Sequence, residues 1–148
     1  MSPDPLPICE FVPGTIKLRI DITMAAEVES ISPVVAGILA MASQMQCASG
    51  KELEIETALR EALANAITHG CANDPSKQID CCVACDEQHG ILIVVRDPGN
   101  GYDPLAVASP LVGENLYSNH GRGIFLINQL MDEVHIRRNG SEIVMRKR

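Results

Sequence analysis

Tryptophan is absent from this chain, and only two tyrosines and two phenylalanines stand among its 148 residues. With so few rings, the core has to be built from aliphatic side chains. No run approaches the roughly 18 consecutive apolar residues of a membrane helix, and no basic start followed by an apolar stretch marks a secretory leader. A cytoplasmic protein without membrane contact is the expectation. Positive charge is also short: 12 Lys and Arg against 19 Asp and Glu leave a formal charge of −7. That balance opposes direct attraction to nucleic acid phosphates. Five of the basic residues gather near the end as Arg137, Arg138, Arg146, Lys147 and Arg148, where a solvated strand surface is expected. Neither the phosphate-binding GxxxxGK[ST] loop nor the GxGxxG dinucleotide fingerprint occurs, which removes two common glycine-rich nucleotide signatures.

What is present is ordinary globular composition, 46% hydrophobic and 21% charged, in a length that suits one core. The cysteines are Cys9, Cys47, Cys71, Cys81, Cys82 and Cys85. Cys82 and Cys85 form a CxxC, but on a strand residues three apart point to opposite faces and cannot share one ion. Buried, reduced thiols are therefore expected.

MSPDPLPICEFVPG, with four prolines, reads as an N-terminal lead-in over residues 1–13, ahead of a single domain over 14–148. In TIKLRIDI, apolar Ile16, Leu18, Ile20 and Ile22 alternate with polar neighbours, the pattern of a half-buried strand. Ser32 and Pro33 suit the start of a first helix that stops near Cys47. Ser49 and Glu52 have capping-box spacing before a second helix, which Gly70 ends. Residues 78–85 and 90–96 predict a hairpin, and EVHIRR, Asn139-Gly140 and SEIVMRK predict another, with a third helix from Gly121 between them. Residues 102–120 lack periodicity and read as a lid, with Asp103 and Pro104 suited to a short helix start. This order predicts an α+β fold: a two-layer sandwich whose mixed, mostly antiparallel sheet carries helices on one face. The other sheet face is then expected to be polar, or covered by a partner.

Three short stretches carry chemistry. In EALANAITHG, Glu61, Asn65 and His69 lie four apart and so share one helix face, which by itself also suits a polar solvent edge. In RDPGNGYDP, Asp97 ends a strand while Gly99 and Gly101 allow close backbone approach; a carboxylate fixed there can accept from the amine of adenine, and a plain turn fits the same residues. In HGRGIFLI, a glycine pair opens a helix, where free N–H groups and the dipole favour phosphate and Arg122 adds charge.

Together, in this order, the three stretches resemble the ATP-binding domain shared by DNA gyrase, heat-shock chaperone ATPases, histidine kinases and MutL-type repair proteins. More closely, residues 14–148 resemble the stand-alone serine/threonine kinases that act as bacterial anti-sigma factors. The resemblance implies ATP and Mg²⁺ as cofactors. Asn65 would ligate the metal, Glu61 would act as general base, and Asp97 would read adenine in a pocket shaped by Gly99 and Gly101. Gly121, Arg122 and Gly123 would meet the phosphates. It further implies a homodimer that phosphorylates a small anti-sigma-factor antagonist and sequesters a sigma factor. A non-catalytic module that uses nucleotide only to hold a sigma factor or other regulator is the alternative. Three residues depart from the pattern: Asn119 and His120 precede a single Gly121 where relatives commonly have a glycine pair and an acidic residue, and Arg60 stands beside the proposed base where relatives often carry a small hydroxyl residue. At about 100° per residue, Arg60 is expected to turn away from Glu61 into solvent. His69, at the helix end, suits a capping role.

Overall fold

The computed structural model describes residues 18–47, 49–86, 89–99 and 119–148, with side chains from Gly123 onward in the last stretch. The expected lead-in, the lid through residue 118, Asp103, Pro104 and Gly101 lie outside these residues.

The described chain begins with β1 (Leu18–Ala25), in which Leu18, Ile20, Ile22 and Met24 turn toward the core and Arg19, Asp21 and Thr23 outward. A 3₁₀ turn at Val28–Ser30 leads into α1 (Ile31–Gln44), and α2 spans Glu52–Asn65. Both helices start without a side-chain cap bond. Lys51 occupies the cap position of α2, so Ser49 does not make the expected capping box. Acidic Glu52 and Glu54 in the first turn act on the helix dipole instead. A π turn, Ala66–Gly70, closes α2. The hairpin β2 (Gln78–Asp86) and β3 (Gly90–Arg96) follows, then α3 (Asn119–Leu130), β4 (Glu133–Arg137) and β5 (Glu142–Lys147).

The five strands run in the order β1-β2-β3-β5-β4, and every neighbouring pair is antiparallel. The sheet expected to be mixed is wholly antiparallel among the described residues. Alternation decides its two faces. Ile79, Cys81, Val83 and Cys85 of β2, Ile91, Ile93 and Val95 of β3, and Met145 of β5 meet Val35, Ile38, Ile55, Leu59, Leu63 and Ile127 of the helices in one aliphatic core. The turn between β4 and β5 places Arg138 and Asn139 at φ 54° and 57°, with Gly140 at 94°, as the Asn-Gly pair predicts.

The cysteines depart from expectation. Cys82 and Cys85 do point to opposite faces, but Cys85 meets Cys47, and the two are disulfide-bonded with Cα atoms 6.1 Å apart. The partner lies three residues past the end of α1, 38 positions earlier, where no spacing rule reaches. Cys71, Cys81 and Cys82 are free and buried, as expected. Among the described residues no cluster of three or more His, Cys, Asp or Glu could hold a metal, and no helix is long and apolar enough to cross a membrane.

Candidate functional site

Asp97 follows the last residue of β3, and its N–H donates to the Ser141 carbonyl at 2.8 Å, pinning it to the start of β5. Its Oδ1 accepts the Gly99 N–H at 2.8 Å, which fixes the carboxylate in the turn. Only 9% of the residue is exposed. Burial pushes its carboxyl above the usual carboxylate range, against the opposing pulls of the Gly99 N–H and the Arg138 and Lys77 charges.

The carboxylate has room because its neighbours lack side chains. A Cβ on Gly70 would collide with the Asp97 carboxyl group, and one on Gly99 would collide with the Gly70 carbonyl oxygen. Gly70 arrives there through the π turn, in which Cys71 N–H bonds back to Ala66 at 2.8 Å. The sequence marks Gly70 only as a helix stop. The signal available was its position at the end of the Glu61–Asn65–His69 row, but the π turn that aims it has no sequence mark.

One helical turn inward, α3 packs on α2. A Cβ at Gly123 would stand 3.0 Å from Asn65 Nδ2 and 3.0 Å from Glu61 Oε2, so this glycine lets the N-terminal half of α3 lie directly against both. The Asn65 amide nitrogen is buried and finds no hydrogen-bond partner among the described residues. Leaving a buried donor unmet costs about 1–3 kcal/mol. A ligand that engaged the amide would remove that cost.

Asn65, His69, Gly70, Asp97, Ile124 and Ser141 line one cleft, with Ala62, Ala66, Val95 and Ile143 as its apolar walls. Apolar walls with a carboxylate fixed among them suit a flat, mainly apolar ring that carries a hydrogen-bond donor on its edge. His69 sits in the π turn, and partial burial lowers its pKa. Arg60 turns away from Glu61 as expected, but not simply into solvent: its Nε bonds Glu56 at 3.2 Å and its Nη1 bonds Ser32 Oγ at 3.1 Å.

Gly121 and Arg122 differ from the sequence reading in their setting. They lie inside α3, which starts at Asn119, and not in a loop ahead of it. The first helical turn tolerates glycine because its N–H groups have no intrahelical partners. Thus Glu61, Asn65 and Gly123 come together, Asp97, Gly99 and Gly70 come together, and Asn65 and Asp97 face the same cleft.

The family model of the histidine kinase-like ATPase domain matches residues 24–147. An anti-sigma F factor of Clostridium perfringens is 32% identical over 143 residues, covering 89% of this chain and 96% of the relative. One from Anoxybacillus flavithermus is 31% identical over 106 residues, covering 67% and 68%. A third, from Geobacillus stearothermophilus, is 29% identical over 121 residues, covering 80% of each. With a cleft of this chemistry at the place where the three motifs converge, the chain belongs to the ATP-binding histidine kinase-like ATPase domain family and groups there with the anti-sigma F factors.

Proposed function

We propose that this protein is an ATP-dependent serine/threonine kinase that phosphorylates a small anti-sigma-factor antagonist and, when free of it, sequesters a sigma factor. The observation that carries the reading is the approach of Gly123 to Glu61 and Asn65, which brings the third motif onto the first beside the cleft that holds Asp97. Relatives that share about 30% of their residues with this chain are named as anti-sigma F factors, which supports the partner class.

In this reading Asp97 accepts a hydrogen bond from the adenine amine, with Gly99 and Gly101 giving the ring clearance. Asn65 would hold Mg²⁺ through its amide oxygen, while its amide nitrogen, which has no hydrogen-bond partner among the described residues, is a donor that a phosphate oxygen would satisfy. The metal, when bound, offsets phosphate charge. Glu61, one turn before Asn65, accepts the proton of the incoming serine or threonine hydroxyl. Gly121, Arg122 and Gly123 receive the phosphates at the start of α3, where the helix dipole favours anions. The chain pairs as a homodimer along the outer edge of β1, which is an edge strand among the described residues.

Glu61→Gln tests the assignment, because it keeps shape and hydrogen bonding but cannot take a proton. Transfer of labelled phosphate to a cognate antagonist is expected to fall about 10²- to 10⁴-fold while nucleotide binding survives. Equal transfer by both proteins would remove Glu61 from the mechanism. No transfer by either, with sigma factor still held, would favour the non-catalytic module.

A further inference from the structure

The helices cover one face of the sheet, yet the opposite face is also buried at its centre. Cys82 and Ala84 of β2, Leu92 and Val94 of β3 and Val144 of β5 point away from the helices and form a second cluster, none of them more than 2% exposed. No helix residue belongs to that cluster; Val35, Ile38, Ile55, Leu59, Leu63 and Ile127 of the helices are all in the main core. A bare sheet leaves such side chains open to water, so burial within one chain requires a cover from the same chain.

The cover is narrow. Toward the edges of the same face Arg19, Asp21, Thr23 and Asp80 are exposed on one side, and His135 and Arg137 on the other. Buried charged groups bound the patch along the strands: the Arg96–Glu142 ion pair at one end, and Asp86 and Arg146 at the other.

We propose that residues 1–17 supply this cover, lying in the same chain across the helix-free faces of β2, β3 and β5. This segment leads into Leu18, which pairs with Cys85 at the Asp86 and Arg146 end of the patch. From β1 to β5 is three strand spacings, about 14 Å. Seventeen residues can reach up to about 55 Å, so the segment can step over the exposed β1 row and span the patch. Its side chains fit, since Leu6, Ile8, Phe11, Val12 and Ile16 are apolar. Pro3, Pro5, Pro7 and Pro13 lack the N–H that a ladder needs, so it is suited to lie on the face by side-chain contact instead of joining the sheet as a strand. The other long stretch outside the described residues, 100–118, leaves from Gly99 beside Gly70 and returns into α3, which packs on α2, on the helical side of the sheet.

Cys82 makes the proposal measurable. Its thiol is pushed up to about 12, first by burial and then by the Asp21 carboxylate beside it. The full chain is compared with the full chain carrying Ile8→Asp and Phe11→Asp, using maleimide and mass analysis of each cysteine. Cys82 should label at least about ten times faster in the variant, while Cys71 and Cys81, buried on the helical side, stay protected in both; wild-type protection should not change on dilution. Equal labelling of Cys82 in the two chains overturns the proposal, as does wild-type protection lost on dilution, which would assign the cover to a second copy. Should the variant expose Cys71 and Cys81 through unfolding, a spin label on Cys9 of the otherwise unaltered chain decides. Broadening of the Leu92, Val94 and Val144 methyl signals within the labelled chain supports the proposal. Its absence, or broadening only in unlabelled chains mixed with labelled ones, overturns it.

Discussion

Where β3 runs into Asp97, three glycines stand at the points of closest approach, a carboxylate is buried at a cost, and the Asn65 amide nitrogen lacks a hydrogen-bond partner among the described residues. The opposite end of the same sheet is stitched. Cys47 is bonded to Cys85, Lys51 Nζ donates to the Arg148 carbonyl at 2.8 Å, and the Asp132 carboxylate accepts the Arg148 N–H at 2.6 Å. Asp86 holds His89 Nδ1 at 2.7 Å, and Glu133 meets Arg148 at 2.9 Å. The helix α2 joins the two ends, with Lys51 at one and Asn65 at the other. The difference teaches that stability and binding are separated along the length of one helix, so each should be removable without the other.

The largest expected effect is at the stitched end. Opening a loop of 38 residues by reduction, or by Cys47→Ala, should lower unfolding free energy by about 3–4 kcal/mol in denaturant titration, with nucleotide affinity unchanged. Equal stability with and without reductant would break the comparison.

At the open end the signs reverse. Asp97→Asn should weaken ATP binding by about 1.5–3 kcal/mol in calorimetry, because a charged acceptor becomes an amide that can present its donor to the adenine amine. The apo protein should gain stability from the same change. The folded pKa of Asp97 is raised, so below the ordinary carboxylate range both folded and unfolded chains are protonated and the group costs nothing. As pH rises through the folded value, ionisation in a buried setting becomes a cost. Thermal melts at pH 7 should therefore place Asp97→Asn at or above the parent, with the gap closing near about pH 3. A variant that melts lower at pH 7 and binds ATP normally would reverse the assignment of this end.

The smallest effect belongs to the middle of α2. Arg60→Ala removes half-exposed bonds to Glu56 and Ser32 and should cost about 0.5 kcal/mol, without altering phosphate transfer. A large loss of transfer would bring Arg60 into the site after all.

Much of this division was legible in the residues. Alternation gave β1 and both hairpins, and spacing of four put Glu61 and Asn65 on one face. The helix-free face, expected to be polar or covered by a partner, is instead apolar and buried at its centre within the single chain. What sequence missed depends on contacts between distant positions: Cys47 with Cys85, and Gly70 with Asp97. Local rules failed where tertiary packing set the geometry, as at the start of α2, where Lys51 replaces the expected cap, and in α3, where Gly121 lies within the helix.

The π turn at Ala66–Gly70 carries one more consequence, for chain length. A π turn holds more residues than an α turn, and here it sets the phase at which Gly70 meets Asp97. Deleting one residue between 66 and 70 would let the helix run on as α and swing Gly70 about 100° around the axis, away from the carboxylate. In this short stretch the spacing of the backbone is itself under constraint, so that losing a residue is more disruptive than exchanging one.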